Sequence, residues 1–196
     1  MSVFSLMARK AWAAARCEAG VAFIEFAICI PLLILLLLGA VEMPRYVLVV
    51  QKVEKTINSV TDVLTESGGT VSAATISDYL NAVPKLMSPY GFTTNGVVIL
   101  SGVSTPAGSP NPATINWQVC GGGTLAEMSK IGTVGQQAHN LPNGFTMIAN
   151  EQIVVGEIFY NFTPIILQNI VPPITIYRAV VFMPRIGTLS VTSSGC

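Results

Sequence analysis

Gly20–Val41 reads GVAFIEFAICIPLLILLLLGAV, an apolar run broken by a single charge at Glu25. At a rise of about 1.5 Å per helical residue the run is long enough to cross a hydrocarbon core about 30 Å thick. A carboxylate in such a run costs on the order of a few kcal/mol if it reaches the bilayer centre. Something must offset that cost, so Glu25 is the residue to explain. Pro31 lies within the run, removes one helical hydrogen bond and is expected to bend the helix; membrane helices tolerate this.

The flanks set the orientation. Arg9, Lys10 and Arg16 against Glu18 make the N-terminal side positive, which keeps it cytoplasmic and sends the C-terminal side out. The run is too long for an ordinary secretory signal, and Glu42-Met43-Pro44-Arg45 offers no small-residue cleavage site after it. Arg16 before Cys17 excludes a lipoprotein-type box. Residues 1–20 are therefore either the cytoplasmic tail of a permanent anchor or a leader removed ahead of it.

Composition narrows the rest. The chain has 196 residues and zero formal net charge, with ten basic and ten acidic side chains, so nothing points to nucleic acid. Only 10% of residues are charged, far below the roughly 25% of soluble domains. The anchor accounts for part of this. The region after Ser67 is also poor in charge and rich in Gly, Ser, Thr, Asn and Pro. That surface suits a domain that packs against copies of itself, or one that is simply a weakly charged exported head.

Past the apolar run, Val53, Ile57, Val60 and Leu64 recur at helical spacing and predict a continuation of the same helix, one face of which packs on a globular head. Ser67-Gly68-Gly69 ends it. A second helix is expected from about Ser72 to Met87, with Ile76, Leu80, Val83 and Leu86 on one side and Pro84 weakening its last turn. Strands are expected at Val97–Leu100 and Thr114–Cys120, with a loop over Ser101–Ala113. The longest strands are expected at Glu151–Phe162 and Ile174–Met183, paired antiparallel in the middle of the sheet. Arg178 and Arg185 are either exposed or paired with Glu151 or Glu157. The fold class is α+β: a long N-terminal transmembrane and amphipathic helix packed on a small antiparallel-sheet head. The expected divisions are 1–20 leader, 21–43 transmembrane helix, 44–66 helix extension and 67–196 extracytoplasmic head.

Of four cysteines, Cys17 precedes the run, Cys29 lies inside it, and Cys120 and Cys196 lie beyond it. If the C-terminal part is exported, the last two can form a disulfide in an oxidising compartment. No catalytic, cofactor-binding or metal-binding constellation is visible. His139 is a lone loop histidine, Asp62 and Asp78 are isolated, and Gly121-Gly122-Gly123 lacks the lysine signature of a phosphate loop and reads as a flexible one. The chain is not expected to be an enzyme.

Gly20, then Val21-Ala22-Phe23-Ile24, then Glu25-Phe26 before the apolar run, resembles the prepilin cleavage motif of the type IV pilin superfamily. With Pro31, Gly39, Glu42, Arg45 and Tyr46, residues 18–50 resemble more narrowly the TadE-like pseudopilins of tight-adherence systems. The C-terminal half, with its late strand pair and terminal cysteine, is similar much more loosely. The resemblance implies a pilin-like fold and a minor structural role in assembly of a tight-adherence pilus. It implies cleavage after Gly20 by a membrane-embedded prepilin peptidase, with Val21 as the new N-terminus. Glu25 and Phe26 are then the assembly and peptidase-recognition residues. The implied partners are the membrane, that peptidase, other pseudopilins or pilins and an inner-membrane assembly platform, with the head in the periplasm or outside the cell. After the cut, Glu25 sits one helical turn from an α-ammonium and can pair with that of a neighbour, which lowers the penalty each charge carries alone in lipid. The plainer reading is that Glu25 stabilises its own helix N-terminus, worth about 0.3–1 kcal/mol. A permanently anchored, unprocessed extracytoplasmic binding module is the alternative for the whole chain.

Overall fold

The computed structural model describes residues 18–166, 168, 171–192 and 195–196. Cys17 and most of the expected leader lie outside the described residues. The chain divides into two units, Met1–Pro44 and Arg45–Cys196. Helix α1, Glu18–Ser67, supplies the described part of the first unit and continues into the second; Pro31 and Pro44 both lie inside it. Its apolar part, from Val21 to Val41, leaves most of its large side chains exposed, Ile30 and Leu38 being half-buried.

In the second unit α1 is one wall of the core. Val49, Val53, Ile57, Val60 and Leu64 are all buried, the helical face that the spacing predicts. α1 stops at Gly68, whose φ of +56° favours glycine. A three-residue strand β1, Gly69–Val71, follows. Helix α2, Ala73–Leu86, is capped by Ser72, whose hydroxyl accepts from the Thr75 N–H at 3.2 Å. It buries Ile76, Leu80 and Val83. A short helix α3, Phe92–Asn95, leads into β2, Gly96–Ser104. The remaining strands are β3 (Thr114–Gly121), β4 (Gln152–Phe162), β5 (Ile174–Phe182) and β6 (Leu189–Val191).

β3-β2-β4-β5 form one antiparallel sheet, so the fold is α+β, a long apolar helix followed by a small antiparallel-sheet head. Alternation along the two central strands sorts their side chains onto two faces. Val98 and Leu100 of β2, with Val154, Ile158, Tyr160 and Phe162 of β4, pack with α1 and α2. On the other face, Val103, Ile153 and Val155 meet Ala113, Ile115, Ile131 and Met147, while Val97, Ile99 and Phe159 meet Leu125 and Tyr177. The segment between β3 and β4 thus serves as a third layer, contributing Leu125, Ile131 and Met147. α1 comes so close to β4 at Gly156 that an added Cβ there would overlap Thr61 Oγ1.

Two expectations change, and one alternative is decided. β4 and β5 pair antiparallel, but β5 is an edge and the centre belongs to β2 and β4; β2 runs on to Ser104 because all of its first eight residues are buried. Gly121–Gly123 is no loose loop: Gly121 faces Leu80, Gly122 faces Val83, and a Cβ on Gly123 would collide with the Gly96 carbonyl. For the two arginines the exposed alternative holds, and neither pairs with Glu151 or Glu157. Arg185 reaches Asp62 at 2.6 Å and Glu66 at 2.7 Å on the last turns of α1, and Arg178 donates to the Tyr177 carbonyl.

The last strand is sewn onto the segment that follows α1. β6 pairs in parallel with β1, and the Thr192 hydroxyl accepts from the Ala73 N–H. The Gln152 side chain exchanges two 2.7 Å hydrogen bonds with the Leu189 backbone. Cys120 and Cys196 are joined in a disulfide closing 76 residues of sequence, and Gly195 bridges to Val119.

Candidate processing and assembly site

Gly20 lies near the start of the described part of α1. Among the described residues a Cβ built on Gly20 meets nothing within 4 Å, in contrast to Gly156 or Gly123. Val21, the next residue, is exposed, as are Phe23, Ile24 and Phe26.

Glu25 stands one turn beyond Val21. Among the described residues no hydrogen bond or ion pair reaches its carboxylate, and the side chain is exposed. Cys29, a free and exposed thiol, follows one turn later on the same face. The most apolar window of this helix has a mean hydropathy of 2.9 and is 0% buried against the rest of the chain. A core helix of a soluble protein of this length would be mostly covered. Here the helix is apolar and long enough to cross a membrane, and among the described residues nothing covers that window.

Where the second unit begins, Arg45 donates to the Thr163 carbonyl at 3.2 Å and its guanidinium lies 4.9 Å from the Phe162 ring centroid. Tyr46 meets the same ring edge-on at 5.3 Å. Tyr160 stacks on Phe92 and donates to the Tyr90 carbonyl at 2.6 Å. Burial pushes the Tyr160 hydroxyl above its ordinary pKa, with Arg45 pulling the other way.

The head holds one fully buried carboxylate, which sequence reasoning missed as such. Glu157 lies on central strand β4 and is 0% exposed. Its Oε2 accepts from the Ser129 hydroxyl, and its Oε1 accepts from the Lys130 N–H at 3.0 Å and the Tyr177 hydroxyl at 2.8 Å. The Lys130 ammonium sits 3.9 Å from the Tyr177 ring centroid. Burial, then the Glu157 charge and hydrogen bond, push the Tyr177 hydroxyl well above its ordinary range. The alternation in EQIVVGEIFYNF was the available signal: the positions sharing a face with Ile153, Val155 and Phe159 include 157. Three donors from two elements converge on this group and clip the third layer to the sheet. A cavity of about 300 Å³ beside α2 is lined by Ala73, Ile76, Ser77, Leu80, Asn81 and the Cys120 end of β3, with no carboxylate or histidine in its wall. No group of three or more His, Cys, Asp or Glu converges among the described residues. His139 is exposed.

The arrangement is that of a protein built on one N-terminal apolar helix, with a disulfide-closed α+β head beyond it. Residues 20–58 match the family model described as TadE-like protein, the family that the Gly20–Tyr46 pattern resembles. The match covers α1 from the glycine to the middle of its core-facing half. Comparison with curated proteins returned no match, and neither did comparison with solved structures.

Proposed function

We propose that the chain is a minor pseudopilin of a tight-adherence pilus assembly, cut after Gly20 by a prepilin peptidase and held in the bacterial inner membrane by residues 21–43. Residues 44–66 extend the helix and residues 67–196 form a head on the outer side. One observation carries this reading: among the described residues nothing touches the Cβ position of Gly20 or pairs with the carboxylate of Glu25, so both are open to a partner. A peptidase that binds extended backbone gains from glycine.

The cut leaves the Val21 ammonium one turn from Glu25. In a complex, the carboxylate of one copy pairs with the ammonium of a neighbouring pseudopilin or pilin and fixes their register, since either charge alone is costly in lipid. Phe26 beside it completes the recognition patch. The disulfide supports an exported head, because such bonds persist in oxidising compartments.

Intact mass of the membrane-extracted protein tests the reading. Cells with a working prepilin peptidase should yield a chain beginning at Val21, and Gly20→Ala should leave the leader in place. Retention of residues 1–20 in the native protein would instead identify a permanently anchored module. Glu25→Ala should insert normally but lower piliation; unchanged piliation would remove Glu25 from the assembly contact.

A further inference from the structure

Between α1 and α2 the head carries an apolar groove of about 270 Å³, lined by Val60, Val63, Tyr79, Ala82 and Leu86 with Ser59. Val63 is 43% exposed and Leu86 42%. At one end the Tyr79 and Ser67 hydroxyls meet at 3.2 Å and join the two helices. At the other, Ser59 and Leu86 also line a hollow of about 180 Å³ together with Lys52 and Lys55. An apolar floor thus runs out to a basic rim. Among the described residues no carboxylate pairs with either lysine, and neither Glu54 nor Asp78, the nearby acids of the same two helices, lines the groove.

The other face of the sheet carries the complement. Glu127 and Met128 are exposed, Met128 at 83%. They follow Leu125, which covers Val97, Ile99 and Phe159 across the sheet from α1 and α2. The pair is held from both sides. The Leu125 N–H donates to the Gly96 carbonyl at 3.2 Å, while the Ser129 hydroxyl and the Lys130 N–H donate to buried Glu157. A flexible thioether beside a carboxylate is therefore offered from a fixed base. Among the described residues nothing bonds the Glu127 carboxylate. The remaining acids of the head are committed elsewhere: Asp62 and Glu66 to Arg185, Glu151 to the Ile148 N–H, and Glu157 to the interior.

We propose that the groove takes Met128 of a second copy of this chain, with Glu127 of that copy meeting Lys52 and Lys55. The two patches lie on opposite faces of one sheet, so no copy fills its own groove. The contact is heterologous: each copy offers a groove to one neighbour and a knob to another, and it repeats from copy to copy. Covering Met128 and the groove floor supplies the attraction, and the charges set the register. The contact lies wholly within the head and does not depend on cleavage after Gly20.

The test uses cells making two differently tagged copies of the full chain, each with Cys17→Ser and Cys29→Ser. One copy carries Met128→Cys and the other Leu86→Cys, with Val63→Cys as a second acceptor should Leu86→Cys impair folding. The gel shift of the native disulfide on reduction reports that each variant has folded. A short bismaleimide should give a mixed dimer, with about tenfold more product than when Ile148→Cys, exposed on the same face as Met128, replaces Met128→Cys. Glu127→Lys should lower the 128–86 product about tenfold, and Lys52→Glu with Lys55→Glu in the acceptor copy should restore it. Equal products from positions 128 and 148 mean random collision and overturn the proposal. An 86–86 product in place of 128–86 overturns it in favour of a two-fold pair. A product indifferent to Glu127→Lys, or position 86 joining only a different protein, overturns it as well.

Discussion

Gly156→Ala tests whether α1 is locked onto the sheet at one point. The added Cβ falls on Thr61 Oγ1 and lies 3.0 Å from Ile57 Cδ1 and 3.3 Å from Ile57 Cγ1. Neither partner yields easily. Thr61 and Ile57 are fully buried and β-branched, and a helix restricts their χ1. Gly156 sits on a central strand with β2 on one side and β5 on the other. Overpacking of this kind costs about 1–3 kcal/mol, and alanine recovers about 0.4–1 kcal/mol by restricting the unfolded chain. The net expectation is a loss of about 1–2 kcal/mol, which for a domain of this size lowers Tm by roughly 2–8 °C. Thr61→Ala should relieve it. The Thr61 hydroxyl is the buried polar side-chain atom without a hydrogen-bond partner among the described residues, so its removal sacrifices no bond. Urea unfolding of the detergent-solubilised chain, followed by the fluorescence of buried Trp117, gives the four corners of the cycle. The double variant should be more stable than the sum of the singles by about 1 kcal/mol or more. A Gly156→Ala protein as stable as the parent, or two additive effects, would refute the close contact.

Three further outcomes follow from the head. Glu157→Ala strands three donors in the interior and should cost about 3–5 kcal/mol in urea unfolding, whereas Glu157→Gln keeps an acceptor and should cost about 1 kcal/mol. The Tyr177 hydroxyl is held neutral in the folded state, with a pKa raised above its ordinary value near 10. Its contribution to stability is therefore complete below about pH 10 and lost as pH rises toward the folded-state pKa. Tyr177→Phe should be less stable at neutral pH but lose stability less steeply above pH 10, as read by denaturation at several pH values. Cys120→Ser opens a loop spanning 76 residues and should lower stability by about 2–4 kcal/mol and abolish the gel shift on reduction; an unshifted parent protein would refute the bond.

The parts legible in sequence are those governed by short-range pattern. The apolar run, the Val53–Leu64 face and the Ser72 start of α2 each follow from helical periodicity or capping, and all three are present. The two distal cysteines were legible as a pair that can form if the C-terminal part is exported, and they are joined. Partners far apart in sequence were not legible. Nothing near Arg185 announces Asp62 and Glu66, because the pairing depends on the chain returning to α1. β1 and β6 are three residues each, too short for alternation to register. Glu157 looked like a surface charge because a fully buried carboxylate is uncommon, and its donors come from a segment without regular secondary structure. Gly121–Gly123 looked loose because close backbone approach leaves no mark in sequence except the glycines themselves.

The stitching of residues 185–192 onto residues 62–73 would also bear on timing if the head is exported as proposed. The chain would emerge from Arg45 onward while its last strand is still on the inner side. Until Leu189–Val191 crossed, β1 would lack its mate, Asp62 and Glu66 would lack Arg185, and Cys120 would lack Cys196. A head translocated short of these residues could not close, so completion of secretion would itself act as the licence for folding, and a stalled chain would be left open to quality-control proteases.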